Sequence, residues 1–418
     1  MTTPPIAVLP RRVVVVGAGL AGLRTVAELR GQGFDGEITV VGAEHLAPYD
    51  RPPLTKELFS RPEPLWLAGE GYGELSALAD SVLLGHRATA LQADDDGARL
   101  TITGGSGEVA GDVVVLAVGA RPIVPPGWRD ARSLHDAEDA AHLREHLVPG
   151  SRLVIVGGGW IGAELATVAA QRDVAVTVVE AEPAPLAQVL GPEVSTRMLP
   201  WYAEHGVSLH TGVPVTGVSS AGARLADGTE LPADVVVAAI GVRPNTEWLG
   251  GALPLTARHA VPVDLAGRVA GGPASVRAVG DCADRTSPRD GVLPGAHWDG
   301  ALNHPAAVAA GLLGDAAAPA DPAPYVFSTQ LGRELTVVGT PRVDSEVVLR
   351  GDPQAGPWTA LYVHRTPAGA VLQAGFTVDR PRDVGALRKA LSAPAHPTID
   401  IAAAADPAIQ LRKTLTPR

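Results

Sequence analysis

Uninterrupted apolar runs, rather than alternating ones, mark the strands of this chain. Residues 13–16, 38–41, 113–118, 153–156, 174–179 and 235–240 are rich in valine and isoleucine and carry no charge. A strand without a polar face is buried on both sides, as in a parallel sheet covered by helices. None of these runs approaches the roughly 20 residues needed to span a bilayer. Residues 20–29 and 160–171 have helical patterning and lie between successive runs. The order strand, helix, strand occurs twice and predicts two βαβ units in separate doubly wound domains. A further short strand is expected at 277–279, then a helix over 297–313 interrupted near Pro305. Beyond residue 322 the pattern changes. Strand-like runs at 325–328, 335–338, 346–349, 359–363 and 371–378 precede a short helix at 384–391, which reads as a separate α+β piece. The residues after Ser392 are rich in alanine and proline and are expected to form a mobile tail.

Each βαβ unit opens on a glycine turn. In the first, Gly17, Gly19 and Gly22 enclose Leu20 and Ala21, and Glu44 follows the second strand. In the second, Gly157, Gly159 and Gly162 enclose Trp160 and Ile161, and Glu180 follows. The first glycine makes the tight turn and the second lets backbone N–H groups approach a pyrophosphate. The third lets helix and strand pack closely, and the acid, roughly 20 residues on, suits a ribose hydroxyl. A lone glycine turn is a weak signal, but two with this context specify two dinucleotides. Each half then ends alike: Gly119-Ala120-Arg121-Pro122 after one buried strand, Gly241-Val242-Arg243-Pro244 after the other. Glu180 accepts from a free 2′-hydroxyl and repels a 2′-phosphate, and residues 181–184 supply no arginine or lysine, so NADH is expected over NADPH.

Composition narrows the chemistry. A formal net charge of −11 argues against a general nucleic-acid or anionic-membrane partner. Residues 1–12 hold no long apolar stretch, so no secretory signal is read and a cytoplasmic location is the default expectation. Cys282 is the one cysteine, which rules out a dithiol redox pair; a small buried residue is its expected role. His297 and His304 lack neighbouring carboxylate or thiol ligands, so no metal site is expected. The run Asp94-Asp95-Asp96-Gly97 reads as a solvated hairpin end, and the Gly104-to-Gly107 segment as another turn. Pro48, Pro52 and Pro53 stiffen the loop that presents Asp50, Arg51 and Lys56 and are expected to delay any helix until Leu54.

The segments GAGLAG, YDRPPLTK, GGGWIGAE, IGVRPN, AVGDCA, HWDGALNHP and VDRPRDVGALRKAL occur here in one order. Together they resemble the FAD-dependent ferredoxin reductases of bacterial cytochrome P450 and Rieske-type oxygenase systems, the putidaredoxin reductase kind. The likeness extends to about Leu391. It implies a glutathione-reductase-like α/β fold: two doubly wound, Rossmann-like domains plus a C-terminal α+β domain. The expected boundaries are 1–125 and 253–321 for a discontinuous FAD-binding domain, 126–252 for the NAD-binding domain, 322–395 for the C-terminal domain and 396–418 for the tail.

Residue by residue, the resemblance implies that Gly17, Gly19, Leu20, Ala21, Gly22 and Glu44 hold the FAD pyrophosphate and adenosine ribose. Arg51 and Pro52 match a stiff loop beside the flavin; Ala117, Gly119 and Arg121 a segment near its phosphates; Asp281 an acid on the ribityl or pyrophosphate region. His297, Trp298 and Ala301 fall where the flavin pyrimidine edge is held. The NAD(H) turn matches Gly157, Gly159, Trp160, Ile161, Gly162 and Glu180, with Gly241 closing that half. Lys56 matches a lysine near flavin N5 and Glu164 its ion-pair partner; these two are the expected catalytic residues.

The resemblance implies hydride uptake from NADH and single-electron delivery to a ferredoxin of the 2Fe–2S or a related type that serves a P450 or other oxygenase. Alternatives are an NADH oxidase or quinone reductase, or an NADH-responsive binding protein like apoptosis-inducing factor; monomer and homodimer both stay open. One departure stands out. Where the family carries W-S-D-Q, this chain has Phe327-Ser328-Thr329-Gln330, which questions the acceptor more than the cofactor. An acidic ferredoxin needs a basic patch, for which Arg380, Arg382, Arg388 and Lys389, or Arg285 and Arg289, are candidates.

Overall fold

A computed structural model describes residues 9–105, 107–295, 297–315, 319–342, 344–367 and 369–418. The leader reading of residues 1–8 and the Ser106 position of the second turn lie outside them. The chain forms two compact units. One comprises Met1–Asp50, Leu65–Arg121 and Arg243–Asp321, the other Arg51–Pro64, Pro122–Val242 and Pro322–Arg418.

In the first unit, strands Arg12–Val16, Glu37–Gly42, Ser81–Leu84, Val113–Leu116 and Val276–Ala278 form a five-stranded parallel sheet. Arg12–Val16 sits between Glu37–Gly42 and Val113–Leu116. Its four valines are buried, as expected for a strand covered on both faces. Helices Leu20–Gly31 and Trp298–Leu312 pack together over one face, burying Leu23, Val26, Val308, Ala309 and Leu312 in one cluster. The second of these runs unbroken through Pro305, contrary to the expected interruption. Burial of the helix against its neighbour outweighs the ~3 kcal/mol that an interior proline costs. The hairpin Ala88–Ala93/Ala98–Ile102 turns at the aspartates as expected, but they are not simply solvated. Asp94 Oδ1 accepts the N–H groups of Asp96 and Gly97, and Asp95 Oδ1 accepts that of Ala274 at 2.8 Å.

The second unit repeats the parallel arrangement, with strand order Ser208–Thr211, Ala175–Glu180, Arg152–Val156, Val235–Ala238. It also contains the C-terminal antiparallel sheet, ordered Tyr325–Gln330, Arg333–Gly339, Gly369–Val378, Trp358–Thr366, Glu346–Arg350, with helix Pro381–Leu391 packed on it. The short helix Pro52–Lys56 belongs to this unit because it packs on helix Trp160–Ala170. It begins at Pro52, not Leu54: first-turn N–H groups have no intrahelical acceptor, so prolines at the first two positions lose nothing.

Residues 396–418 are not a free tail. Strands Thr398–Ile399 and Leu415–Thr416 pair with each other, and the first also pairs with Gly369–Val378. Ile399, Ala404 and Leu411 are buried. Arg350, only 2% exposed, explains the order: it donates to Asp383 at 3.0 Å and to the carbonyls of Ala404 (3.0 Å), Asp406 (2.5 Å) and Ile409 (2.5 Å).

Candidate functional site

Both glycine turns have the geometry their spacing predicts. Gly17 sits at φ +114°, where a Cβ would lie 2.1 Å from the Ala117 carbonyl oxygen; Gly157 sits at φ +108°, 2.4 Å from that of Ala239. The third glycines are equally constrained: a Cβ on Gly22 or Gly162 would lie 1.8 or 2.1 Å from the carbonyl oxygen of the turn glycine. Gly19 and Gly159 differ. They are the N-caps of helices Leu20–Gly31 and Trp160–Ala170, no side chain caps either helix, and nothing lies within 4 Å of an added Cβ. Each helix therefore begins with first-turn N–H groups that have no intrahelical acceptor and no side-chain cap, at the positive end of its dipole. A pyrophosphate fits this arrangement in both units.

Of the other predicted residues of the first unit, Asp281 and Ala301 lie near the same helix. Gly280, at φ +73°, packs so closely that a Cβ would lie 2.8 Å from Ala21 Cβ and 3.9 Å from Ala301 Cβ. The adjoining Asp281 is thereby held next to the Leu20–Gly31 N-terminus, half-buried. Glu44 accepts from the Tyr49 hydroxyl at 2.6 Å. Ala117 is buried beside Val16, and Gly119, at φ +65°, accepts from Asn245 N–H at 3.0 Å. Trp298 is the first residue of its helix, and its indole N–H donates to Asp50 at 2.8 Å; His297, just before it, is exposed. Arg121 is engaged by partners within the same unit. Its guanidinium is bound by Glu247 and by Asn245 Oδ1 at 3.2 Å, in a half-exposed ion pair.

Cys282 is fully buried, with its thiol against the carbonyls of Leu116 and Val279 at 3.3 Å, and burial pushes it up to about 11. It is a packed, protonated core residue, as expected. His304 is hydrogen-bonded to the Leu265 carbonyl, and burial, reinforced by Arg285, draws it down to about 4. Among the described residues no cluster of three or more His, Cys, Asp or Glu has the arrangement to hold a metal ion.

In the second unit, Glu180 is held by two backbone donors, Gly158 N–H to Oε2 at 2.8 Å and Glu182 N–H to Oε1 at 2.9 Å. Its carboxylate is thus fixed at the end of its strand, beside the glycine turn. Gly241, at φ +109°, accepts from Ile123 N–H at 2.9 Å. Ile161 is 40% exposed on the first turn of the Trp160–Ala170 helix, and Trp160 beside it is half-buried.

Lys56 and Glu164, far apart in sequence, form an ion pair with side-chain exposures of 19% and 8%. Thr55 Oγ1 donates to Glu164 Oε2 and Ser328 Oγ to Oε1, each at 2.5 Å. The Lys56 ammonium also lies 5.4 Å from the centre of the Phe327 ring. Arg51 donates to the His135 carbonyl at 2.5 Å and caps the Pro52–Lys56 helix. Sequence reasoning missed Thr55 and Ser328. The signal available was the alternation of Phe327-Ser328-Thr329-Gln330, which places two polar residues on one face of a strand. Thr329, where the family carries an acid, is exposed and donates to Glu334 Oε1 at 3.0 Å, so a carboxylate still stands across the hairpin.

The basic candidates divide. Arg285 pairs with Asp321 at 3.1 Å and Arg289 with Asp290 at 2.7 Å, with exposures of 16% and 5%; neither is a docking charge. Arg380 is likewise bound to Asp383. Arg382, Arg388 and Lys389 remain exposed on the Pro381–Leu391 helix, Arg388 stacked 4.5 Å from the centre of the Tyr325 ring.

Residues 11–310 match the pyridine nucleotide-disulphide oxidoreductase family, and residues 325–415 match the reductase C-terminal family. The chain belongs to the pyridine nucleotide-disulphide oxidoreductases. It does so with a single buried cysteine and hence without the dithiol of the family's name. It is 33% identical to a probable ferredoxin reductase, CtmF, of Castellaniella defragrans, covering 90% of this chain and 92% of that one. It is 31% identical to the ferredoxin–NAD(+) reductase component of the p-cumate 2,3-dioxygenase system of Pseudomonas putida, covering 96% and 98%. The fold superposes on the putidaredoxin reductase–putidaredoxin covalent complex with a TM-score of 0.87 and 28% identity, over 97% of this chain and 98% of that one. The two doubly wound domains and C-terminal domain read from the sequence are therefore those of this family. Among the described residues no helix is long and apolar enough to cross a membrane.

Proposed function

We propose that this chain is an FAD-containing, NADH-dependent ferredoxin reductase that supplies a cytochrome P450 or another oxygenase and works in the cytoplasm. The observation that carries the reading is the pair of open, helix-capping glycine turns, one per unit, in a chain whose only cysteine is buried and protonated. Two dinucleotides without a dithiol require an external electron acceptor. The relatives named above act with ferredoxins or in dioxygenase systems.

FAD falls to the Gly17 turn with Glu44 on its ribose, and NADH to the Gly157 turn with Glu180 on its ribose. A bound flavin takes up a hydride as two electrons and can give them up one at a time. The protein's own part is orientation. First-turn N–H groups of two helices hold pyrophosphate, and the two backbone donors on Glu180 leave a fixed negative charge where a 2′-phosphate would sit. Asp281 and Trp298, fixed respectively by the Gly280 turn and by Asp50, form part of the flavin cradle. Lys56 and Glu164 present a paired, nearly neutral group to the nicotinamide, with Glu164 held by two hydroxyls. Arg382, Arg388 and Lys389 suit an acidic ferredoxin.

The test is anaerobic titration of the FAD-loaded protein with NADH, followed by addition of a 2Fe–2S ferredoxin. Flavin bleaching by NADH and its reversal by ferredoxin support the reading; rapid re-oxidation by oxygen or quinone but by no ferredoxin would favour an oxidase.

A further inference from the structure

Strand Tyr325–Gln330 alternates cleanly: Phe327 and Thr329 are exposed, while Ser328 and Gln330 are 1% and 0% exposed. Two adjacent inward polar residues on a strand that otherwise faces a core need a reason. The hydrogen bonds supply one. Gln330 Nε2 lies 3.1 Å from Ser328 Oγ, which in turn lies 2.5 Å from Glu164 Oε1. Only one polarity satisfies this chain. An ionised carboxylate accepts only, so the Ser328 proton must go to Glu164. The Ser328 oxygen is then an acceptor, and the Gln330 amide must turn its NH2 toward it. That orientation leaves Gln330 Oε1 buried without a partner among the described residues. The amide is held in this orientation at the expense of its own carbonyl, which indicates that the charge on Glu164 sets the arrangement.

A second link fixes the same strand to the same helix. Leu331 N–H donates at 2.8 Å to Thr167 Oγ1, whose own proton goes to the Ala163 carbonyl at 2.7 Å. Thr167 lies three residues beyond Glu164, on the same side of helix Trp160–Ala170. The end of the strand therefore meets the helix at two adjacent points, and neither can slide without breaking the other.

We propose that Ser328 and Gln330 are positioning residues through which the C-terminal sheet sets the orientation of Glu164, and through Glu164 that of Lys56. The inference rests on the reading above, in which Glu164 and Lys56 act on the nicotinamide. Thr55 holds Oε2 from the neighbouring short helix, so Ser328 defines how Oε1, the oxygen shared with Lys56, is presented.

Stopped-flow reduction of the FAD-loaded protein by NADH tests this without any ferredoxin. Ser328→Ala should lower the limiting rate about tenfold, equivalent to ~1.4 kcal/mol, with little change in the NADH concentration for half-maximal rate. Ser328→Thr, which keeps the hydroxyl, should recover most of that rate. In a Glu164→Gln background, Ser328→Ala should change the rate by less than twofold, because the charge it orients is gone. Should Ser328→Ala not fold, Gln330→Met removes only the outer donor and should slow reduction about threefold, again not in the Glu164→Gln background. Rates within twofold of wild type for both Ser328→Ala and Gln330→Met would overturn the proposal. So would equal losses with and without Glu164, which mark a purely structural effect. Failure of NADH to reduce the wild-type flavin would overturn the functional reading and this inference together; normal wild-type reduction with an unaffected variant overturns the inference alone.

Discussion

Replacing Lys56 by Met is the perturbation whose effects are best defined by the structure. Glu164 would keep the Thr55 and Ser328 hydroxyls at 2.5 Å each and lose its ion-pair partner. Breaking a fully buried ion pair costs about 3–5 kcal/mol, because the surviving charge is left uncompensated. Here the lysine is 19% exposed and two donors remain, so about 2 kcal/mol is the appropriate figure. Lys56→Met/Glu164→Gln leaves no charge behind and should regain most of the lost stability. Activity should behave otherwise. On the proposed role of Lys56 and Glu164 at the nicotinamide, the double variant still lacks the paired group, and its flavin reduction should remain at least about tenfold slow, since misplacement of reacting groups by about 1 Å alone costs up to about a hundredfold. Urea unfolding and stopped-flow reduction by NADH on wild type, Lys56→Met, Glu164→Gln and the double variant give both quantities. Wild-type stability together with a wild-type reduction rate in Lys56→Met would refute the reasoning. A double variant as unstable as Lys56→Met would show that the carboxylate is not the source of the cost.

Other consequences are equally direct. Glu180→Ala removes the carboxylate fixed by Gly158 and Glu182 and should narrow the preference for NADH over NADPH about tenfold, measured as a ratio of kcat/KM; an unchanged ratio would remove Glu180 from cofactor selection. Cys282 should resist thiol reagents in the native protein at pH 8. Burial favours the neutral thiol, so raising its value from 9.0 to about 11 cuts the thiolate fraction about a hundredfold, and reactivity should rise with pH toward 11 or on unfolding. Fast native labelling at pH 8 would contradict that burial. Arg350→Met should destabilise the C-terminal sheet by about 3 kcal/mol and expose the 400–410 segment to limited proteolysis, because Arg350 joins Asp383 to four carbonyls of that segment.

The features legible in the sequence were those with local causes. Buried parallel strands announce themselves as valine runs, and the Gly17 and Gly157 turns need glycine for reasons that lie within a few residues. Contacts between distant segments were not legible. Nothing near Ser328 indicates that it meets Glu164, 164 residues away, or that Thr55 meets it from the other side. Local rules also misled where tertiary packing overrode them. Pro305 reads as a break, yet the helix around it is buried on both sides of the proline. The alanine-rich end reads as a tail until Arg350, more than fifty residues upstream, is seen to bind its carbonyls. Arg285 and Arg289 look like surface charge because their partners, Asp321 and Asp290, are ordinary aspartates whose burial the sequence does not reveal.

Ferredoxin-dependent reduction of cytochrome c, driven by NADH with the purified FAD-loaded protein, tests the central claim most directly. The account predicts a slow rate with cytochrome c alone and a large increase on adding an acidic 2Fe–2S ferredoxin, falling with ionic strength as a docking surface built on Arg382, Arg388 and Lys389 requires. No increase with any ferredoxin tried, beside rapid NADH consumption by oxygen or quinone, would contradict it.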